Sequence, residues 1–302
     1  MSITPAKLST ISLATFGAFL EASGTVIEKI VLRKHKINSK IYTTFEFLAI
    51  VLSAIPIFLI LSKIFPAVFS FTITHEAFQL KNLLILATII LFALFANLLV
   101  FYAIKWEKIT ELEPIRLAQP LFVIILALVL YASERETPPQ VLIAALVASL
   151  ALIFSHIKKY HISFNKYALA ALFGSFFFAV DLALSKFLLP FYSPLSLYFI
   201  RSVILLVICL FVFRPKFNVA SKKSWFLIAI TGFIWVLYRA ILYYSYTARG
   251  VIFTTLLFLL TPIFIYLFSY IYLKEKPTIR NIIASIVILL CVLYASLING
   301  YI

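Results

Sequence analysis

Four residues of the first apolar run, Gly17, Glu21, Gly24 and Glu28, recur at spacings of four, three and four. On a helix that spacing makes one stripe. The two glycines let a neighbouring helix approach closely, and Glu21 falls near the middle of the run. Ionisable groups inside apolar runs face a cavity or a partner. A carboxyl there can exchange a proton or hold a cation, which is the work of a coupling site. It can equally be held by an arginine across a bundle as a structural ion pair. A second stripe lies at Trp235, Arg239 and Tyr243, spaced by four, with Tyr246 three further on. It sets a guanidinium between aromatic rings, where it can grip a carboxylate or phosphate while the rings stack on a solute. The alternative is an arginine packed on its own helix's aromatics and paired to an acid.

Other polar residues inside apolar runs complete the candidates. Glu113, Arg116 and Gln119 precede Pro120. Glu113 and Arg116 can pair within one helix at a separation of three, which leaves Arg116 and Gln119 as second-tier solute contacts. Asp181 lies beyond the middle of its run, and Lys186 nearer the end can snorkel. Asn97 can bind solute or make a helix–helix hydrogen bond. Glu46 and Arg201 occupy corresponding places in two runs, and a mutual or neighbouring salt bridge is expected. The expected solute-binding set is Glu21, Asn97, Arg116, Gln119, Asp181, Trp235, Arg239 and Tyr243, with Glu21 also the coupling group. His35, His75, His156 and His161 show no paired-ligand spacing, and Cys209 and Cys291 lie inside apolar runs. No metal, cofactor or disulfide framework is expected.

The elements that carry these residues follow from composition. The 302 residues are 64% hydrophobic and 12% charged, with a mean hydropathy of +1.11. Soluble domains are about half apolar and about a quarter charged, so the solvent of this chain is lipid. Runs near the roughly 20 residues that cross a bilayer recur at about 10–32, 41–62, 82–104, 111–132, 139–157, 166–189, 194–213, 224–246, 250–272 and 279–299. They are continuous rather than alternating, which excludes a porin-like barrel. The fold class expected is an all-α integral membrane protein of ten transmembrane helices. The first run holds Glu21 and has no small-residue cleavage site after it, so it reads as a mature helix rather than a cleaved signal.

The net charge of +15 sits in the short links between runs. This is the positive-inside pattern of membrane proteins, not a nucleic-acid footprint. The links holding Arg33, Lys34, Lys36, Lys158, Lys159, Lys222 and Lys223 would be cytoplasmic, which places both termini outside.

One sentence of sequence is written twice. Residues 118–138 read AQPLFVIILALVLYASERETP and residues 260–278 read LTPIFIYLFSYIYLKEKPT. Each has a proline, an apolar run, then Glu134 with Thr137 or Glu275 with Thr278. Thr137 and Thr278 are expected as helix N-caps, with Pro138 in a first turn. The glutamates are expected to end the preceding helices at the interface. Pro120 and Pro262 fall within spans, where a proline permits a kink or hinge. The beginnings match too: Ala14-Thr-Phe-Gly-Ala-Phe aligns with Ala171-Leu-Phe-Gly-Ser-Phe, so that Gly17 meets Gly174 and Lys29 meets Lys186. Five spans per copy is odd, so the second copy enters the membrane from the opposite side. The division expected is an inverted-topology repeat, residues 1–157 and 164–302, of the kind that alternates access to a midplane site.

Two five-helix halves, each closing on a proline, an apolar run, a Glu, a Thr and a further helix, resemble the EamA-type branch of the drug/metabolite transporter superfamily. The resemblance spans about residues 10–299. It implies a ten-helix secondary carrier for small metabolites such as amino acids, drugs, nucleotide sugars or sugar phosphates, and no enzyme activity. It also implies a central cavity lined by helices 1, 3, 4, 6, 8 and 9. The family commonly carries an arginine in the second helix of each repeat; Arg201 fits, and Glu46 stands in the other place. Glu21 is similar in position to the single essential glutamate in the first helix of four-helix small multidrug resistance relatives. Relatives often keep their termini in the cytoplasm, which opposes the charge pattern. Acids and bases together in the spans favour a zwitterion or organic anion, amino acids above all, in the plasma (inner) membrane. The alternatives are efflux of drugs or lipophilic cations, a lipid or glycolipid flippase on the same fold, and last a membrane enzyme. The partners expected are a small-molecule substrate, the bilayer and a possible second copy of the chain.

Overall fold

Backbone amides in lipid have no water to bond, so each must be satisfied within its own segment. The computed structural model accordingly describes a chain that is helical almost throughout, over residues 5–34, 37–116, 118–154, 165–217 and 221–298. The helices are α1 (Pro5–Lys29), α2 (Ser39–Leu61), α3 (Leu80–Trp106), α4 (Ile109–Arg116), α5 (Ala118–Leu130), α6 (Pro139–Phe154), α7 (Lys166–Leu188), α8 (Pro194–Phe213), α9 (Lys222–Arg249), α10 (Val251–Phe258), α11 (Thr261–Phe268) and α12 (Ile279–Ile298). Among the described residues the strand-like pairing is a single bridge, Ile73 to Tyr192. It ties the link after α2 to the turn after α7.

Among the described residues, seven helical stretches are long and apolar enough to cross a membrane: Ser39–Leu61, Leu80–Trp106, Lys166–Leu188, Pro194–Phe213, Lys222–Arg249, Val251–Leu273 and Ile279–Ile298. They correspond to seven of the ten expected spans. The first expected span is α1, which carries Glu21, Glu28 and Lys29. The described residues of the fourth and fifth include the shorter apolar helices Ala118–Leu130 and Pro139–Ala151.

Of the two repeated prolines, Pro262 sits beside a discontinuity. The fourth expected span is described as helix over 109–116 and 118–130, and Pro120 lies in the second of these stretches. The ninth is interrupted at Leu259–Leu260, and Pro262 starts α11, where its missing N–H costs nothing. α1 and α11 both run on into π-helical turns, Ile30–Lys34 and Ser269–Leu273.

Thr278 caps α12, accepting from Asn281 N at 3.4 Å. Thr137 does not take the equivalent place. α6 begins at Pro139, so it is the second proline that enters the first turn, and Thr137 lies one residue too early. In the link before α3, Phe65 and Phe71 are exposed as an interfacial position requires. Phe69 is 4% exposed and belongs to the core.

Packing pairs the helices closely. α3 lies along α7, α1 along α9, α8 along α2 and α12 along α6, while α11 packs on α1 and α5 on α7. Small residues permit this. A Cβ at Gly174 would lie 2.7 Å from Val100 Cγ2, and one at Gly17 would lie 2.7 Å from Phe258 Cζ. On α12 the buried face is Ala284, Ile288, Val292 and Ala295, while Ile283, Leu290, Leu293 and Leu297 are exposed. An apolar stripe turned outward is stable only against acyl chains.

Candidate functional site

Two partly open cavities lie between these helices, and Arg116 at the end of α4 lines both. The first is bordered by Glu21, Gln119, Pro120, Tyr238, Thr261 and Pro262. Its acid is held by a hydroxyl: Thr261 Oγ1 donates to Glu21 Oε2 at 2.8 Å. Thr261 opens α11 at the helix interruption, so the break itself delivers the hydrogen bond. Backbone irregularity at membrane depth is tolerated where it lines such a space.

The second cavity is bordered among others by Glu28, Glu46, Asn97, Tyr198, Arg201, Trp235 and Arg239. Trp235 Nε1 donates to Glu28 Oε1 at 2.8 Å, and the Glu46 carboxyl from α2 lies beside that of Glu28. Two guanidiniums border the same cavity. Arg201 of α8 pairs with Asp181 at 3.1 Å and donates from Nη1 to the Tyr243 hydroxyl at 3.1 Å. Arg239 of α9 lies 3.8 Å from Asp181. Tyr198 lies 5.7 Å from each guanidinium, measured to its ring centre. Arg201 is 1% exposed and Arg239 7%, yet the Nε of both and Nη1 of Arg239 have no hydrogen-bond acceptor. Buried donors on a permanent charge are costly to leave open.

The expected solute-binding residues thus divide. Glu21 and Gln119 border the first cavity, Asn97, Trp235 and Arg239 the second, and Arg116 both. Tyr243 and Asp181 border neither. Both are fully buried behind the wall, where Asp181 neutralises the arginines and Tyr243 bonds Arg201 and Ser185. Arg239 combines both expected roles: it borders a cavity, and it is also packed on Tyr238 and Tyr243 and paired to an acid.

Several sequence expectations are corrected. Asn97 donates to Ala93 O at 2.7 Å within its own helix instead of across to a neighbour. Of the two arrangements expected for Glu46 and Arg201, Arg201 makes the neighbouring salt bridge, with Asp181, while Glu46 lies by Glu28. Glu134 is not an interfacial helix end; it is 3% exposed. Lys186 does not snorkel but pairs with Glu134. The Glu113 side chain, and with it the Glu113–Arg116 pair, lies outside the described residues. The residues missed were Glu28, Glu46, Tyr198, Arg201 and Thr261. Glu28 carried a signal, standing on the same stripe as Glu21, and Tyr198 stands three residues before Arg201. That Glu28 meets Glu46 depends on how α1 and α2 are rotated against each other, which no spacing within either run fixes.

The model of the EamA-like transporter family matches residues 165–297, the part holding α7 to α12. No curated protein matches the chain by sequence. A solved crystal structure superposes with a TM-score of 0.67 at 15% identity, covering 97% of each chain, which makes the two folds alike. The chain is a multi-pass helical membrane protein whose residues 165–297 are similar to the EamA-like transporter family.

Proposed function

We propose that the chain is a secondary carrier for small zwitterionic or anionic organic solutes, amino acids foremost, working by alternating access in the plasma (inner) membrane. Its ten spans form two five-helix repeats, residues 1–157 and 164–302, inverted in the bilayer. Packing supports the duplication. If helices 1 and 3 of the first repeat correspond to 6 and 8 of the second, the contact of α1 with α9 maps onto that of α7 with α3. The contact of α1 with α11 maps likewise onto that of α7 with α5. The α2–α8 and α6–α12 pairs map onto themselves. The family match on the second half and the fold likeness over the whole chain support the carrier reading.

The observation that carries the solute class is the second cavity, whose border holds both an acid pair and two arginines with unpartnered guanidinium donors. A carboxylate would dock on Arg239 and Arg201, and an ammonium on Glu28 and Glu46. Glu21, in the other cavity, would serve as the proton or cation handle. Two copies of the chain could associate through lipid-facing helices without involving either cavity.

Uptake of labelled amino acids into proteoliposomes tests the proposal. Flux should fall sharply in Arg239→Ala and in Glu21→Gln. Unchanged flux in both variants would sink the site, and no flux of any amino or organic acid by the parent protein would sink the solute class.

A further inference from the structure

The two copies of the repeated sentence end on glutamates with very different surroundings. Glu134 is buried and accepts three donors: Val251 N at 2.7 Å, Ile252 N at 3.1 Å and the Lys186 ammonium. The first two are unsatisfied amides opening α10, where helix geometry leaves donors without partners and a partial positive charge. Gly250, just before them, has φ +80°. A Cβ there would lie 2.9 Å from Glu134 Oε1, so glycine is needed both for the turn and for the carboxylate to reach the amides. The Lys186 ammonium also lies 4.8 Å from the centre of the Tyr131 ring. One carboxylate thus ties together the turn after α5, the end of α7 and the start of α10.

The equivalent residues of the other copy are Glu275 and Lys29. Lys29 is 1% exposed, but its ammonium donates to the backbone carbonyls of Ile104 and Glu107 at the end of α3. Glu275 pairs with Arg33 at 3.8 Å, a residue that is largely exposed. The helices that carry Lys29 and precede Glu275, α1 and α11, run on into π-helical turns, whereas α7 stays α-helical to Leu188.

From this asymmetry we infer that Glu134–Lys186 and Glu275–Lys29 are alternate latches of one transport cycle. Glu134–Lys186 is engaged here and shuts the face on which α5 and α7 end and α10 begins. Glu275–Lys29 engages on the opposite face when the first releases. This inference rests on the inverted-repeat carrier proposed above. A latch held by two amides and an ammonium biases a two-state equilibrium by whatever it contributes in one state alone. Its removal therefore shifts which face the cavities open to, without touching any residue that borders them.

A cysteine placed at Val123, which borders the first cavity, reports that choice once Cys209 and Cys291 are replaced by alanine. Its reaction with a membrane-impermeant maleimide would be timed from each side in vesicles of both orientations. Glu134→Ala and Lys186→Ala should each raise the rate from the Glu134 face, relative to the other face, by about tenfold, and Glu275→Ala should not. Using both variants guards against one that fails to fold, and monodisperse elution in detergent confirms each. An unchanged side ratio in both folded variants overturns the latch. Amino-acid counterflow in the same vesicles judges the carrier reading separately. A shifted ratio without counterflow upholds the latch and rejects the carrier, and counterflow with an unshifted ratio does the reverse.

Discussion

The two cavities that meet at Arg116 share a wall and differ in almost everything else. One has a single carboxyl tied to a threonine hydroxyl at a helix break, with leucine, valine and phenylalanine around it. The other has two carboxyls, two guanidiniums and an indole N–H along its border. The stripe Gly17, Glu21, Gly24 and Glu28 is continuous on α1, yet its two acids border different spaces. Helix periodicity places residues on one face; what stands opposite that face changes along the helix axis.

The harshest way to break this contrast is to remove the support behind the arginines. Asp181→Ala would leave two buried guanidiniums uncompensated, an effect of about 3–5 kcal/mol. Loss of folded protein, or a large drop in its thermal midpoint in detergent, would show it; a midpoint equal to the parent's would mean that the arginines do not depend on Asp181. Next in size is Arg239→Ala, which removes a docking group while leaving Arg201 paired. Solute affinity should fall about a hundredfold, near 2.7 kcal/mol, within the range for one partner of a buried charged contact. Equilibrium binding of labelled amino acid measures it.

The sharper test sets the two acids of α1 against each other. Glu28→Gln should weaken binding about tenfold, because the charge-assisted contact to an ammonium becomes a neutral one. Glu21→Gln should leave affinity within about twofold but abolish flux driven by a pH gradient. Equal effects on affinity would mean that the cavities act as one. Smallest is Trp235→Phe, which deletes the indole hydrogen bond to Glu28 and keeps the ring. The loss of about 1 kcal/mol expected for one hydrogen bond would lower affinity about fivefold through the position of Glu28. No change would show that Glu46 alone holds that carboxyl in place.

The legible part of this molecule was whatever repeats at short range. The apolar runs announced helices in lipid because backbone amides there have no other partner. Pro262 announced the break before α11, and Gly17 announced close approach. Glu134 was misread because a glutamate flanked by arginine at a helix end looks solvated; its real partners, Val251 and Ile252, are more than a hundred residues away. Asp181 was misread as a solute contact because an acid in a span advertises function, whereas its nearest charges come from α8 and α9.

The sequence by itself determined that the chain lives in a bilayer and that it is helical, since solvent and backbone hydrogen bonding are local matters. The tertiary structure alone decided which acid faces which base. Ion pairs reach only a few ångströms, and the rotation and depth of each helix against its neighbours, set by how small and large side chains interlock, determine who stands within that reach.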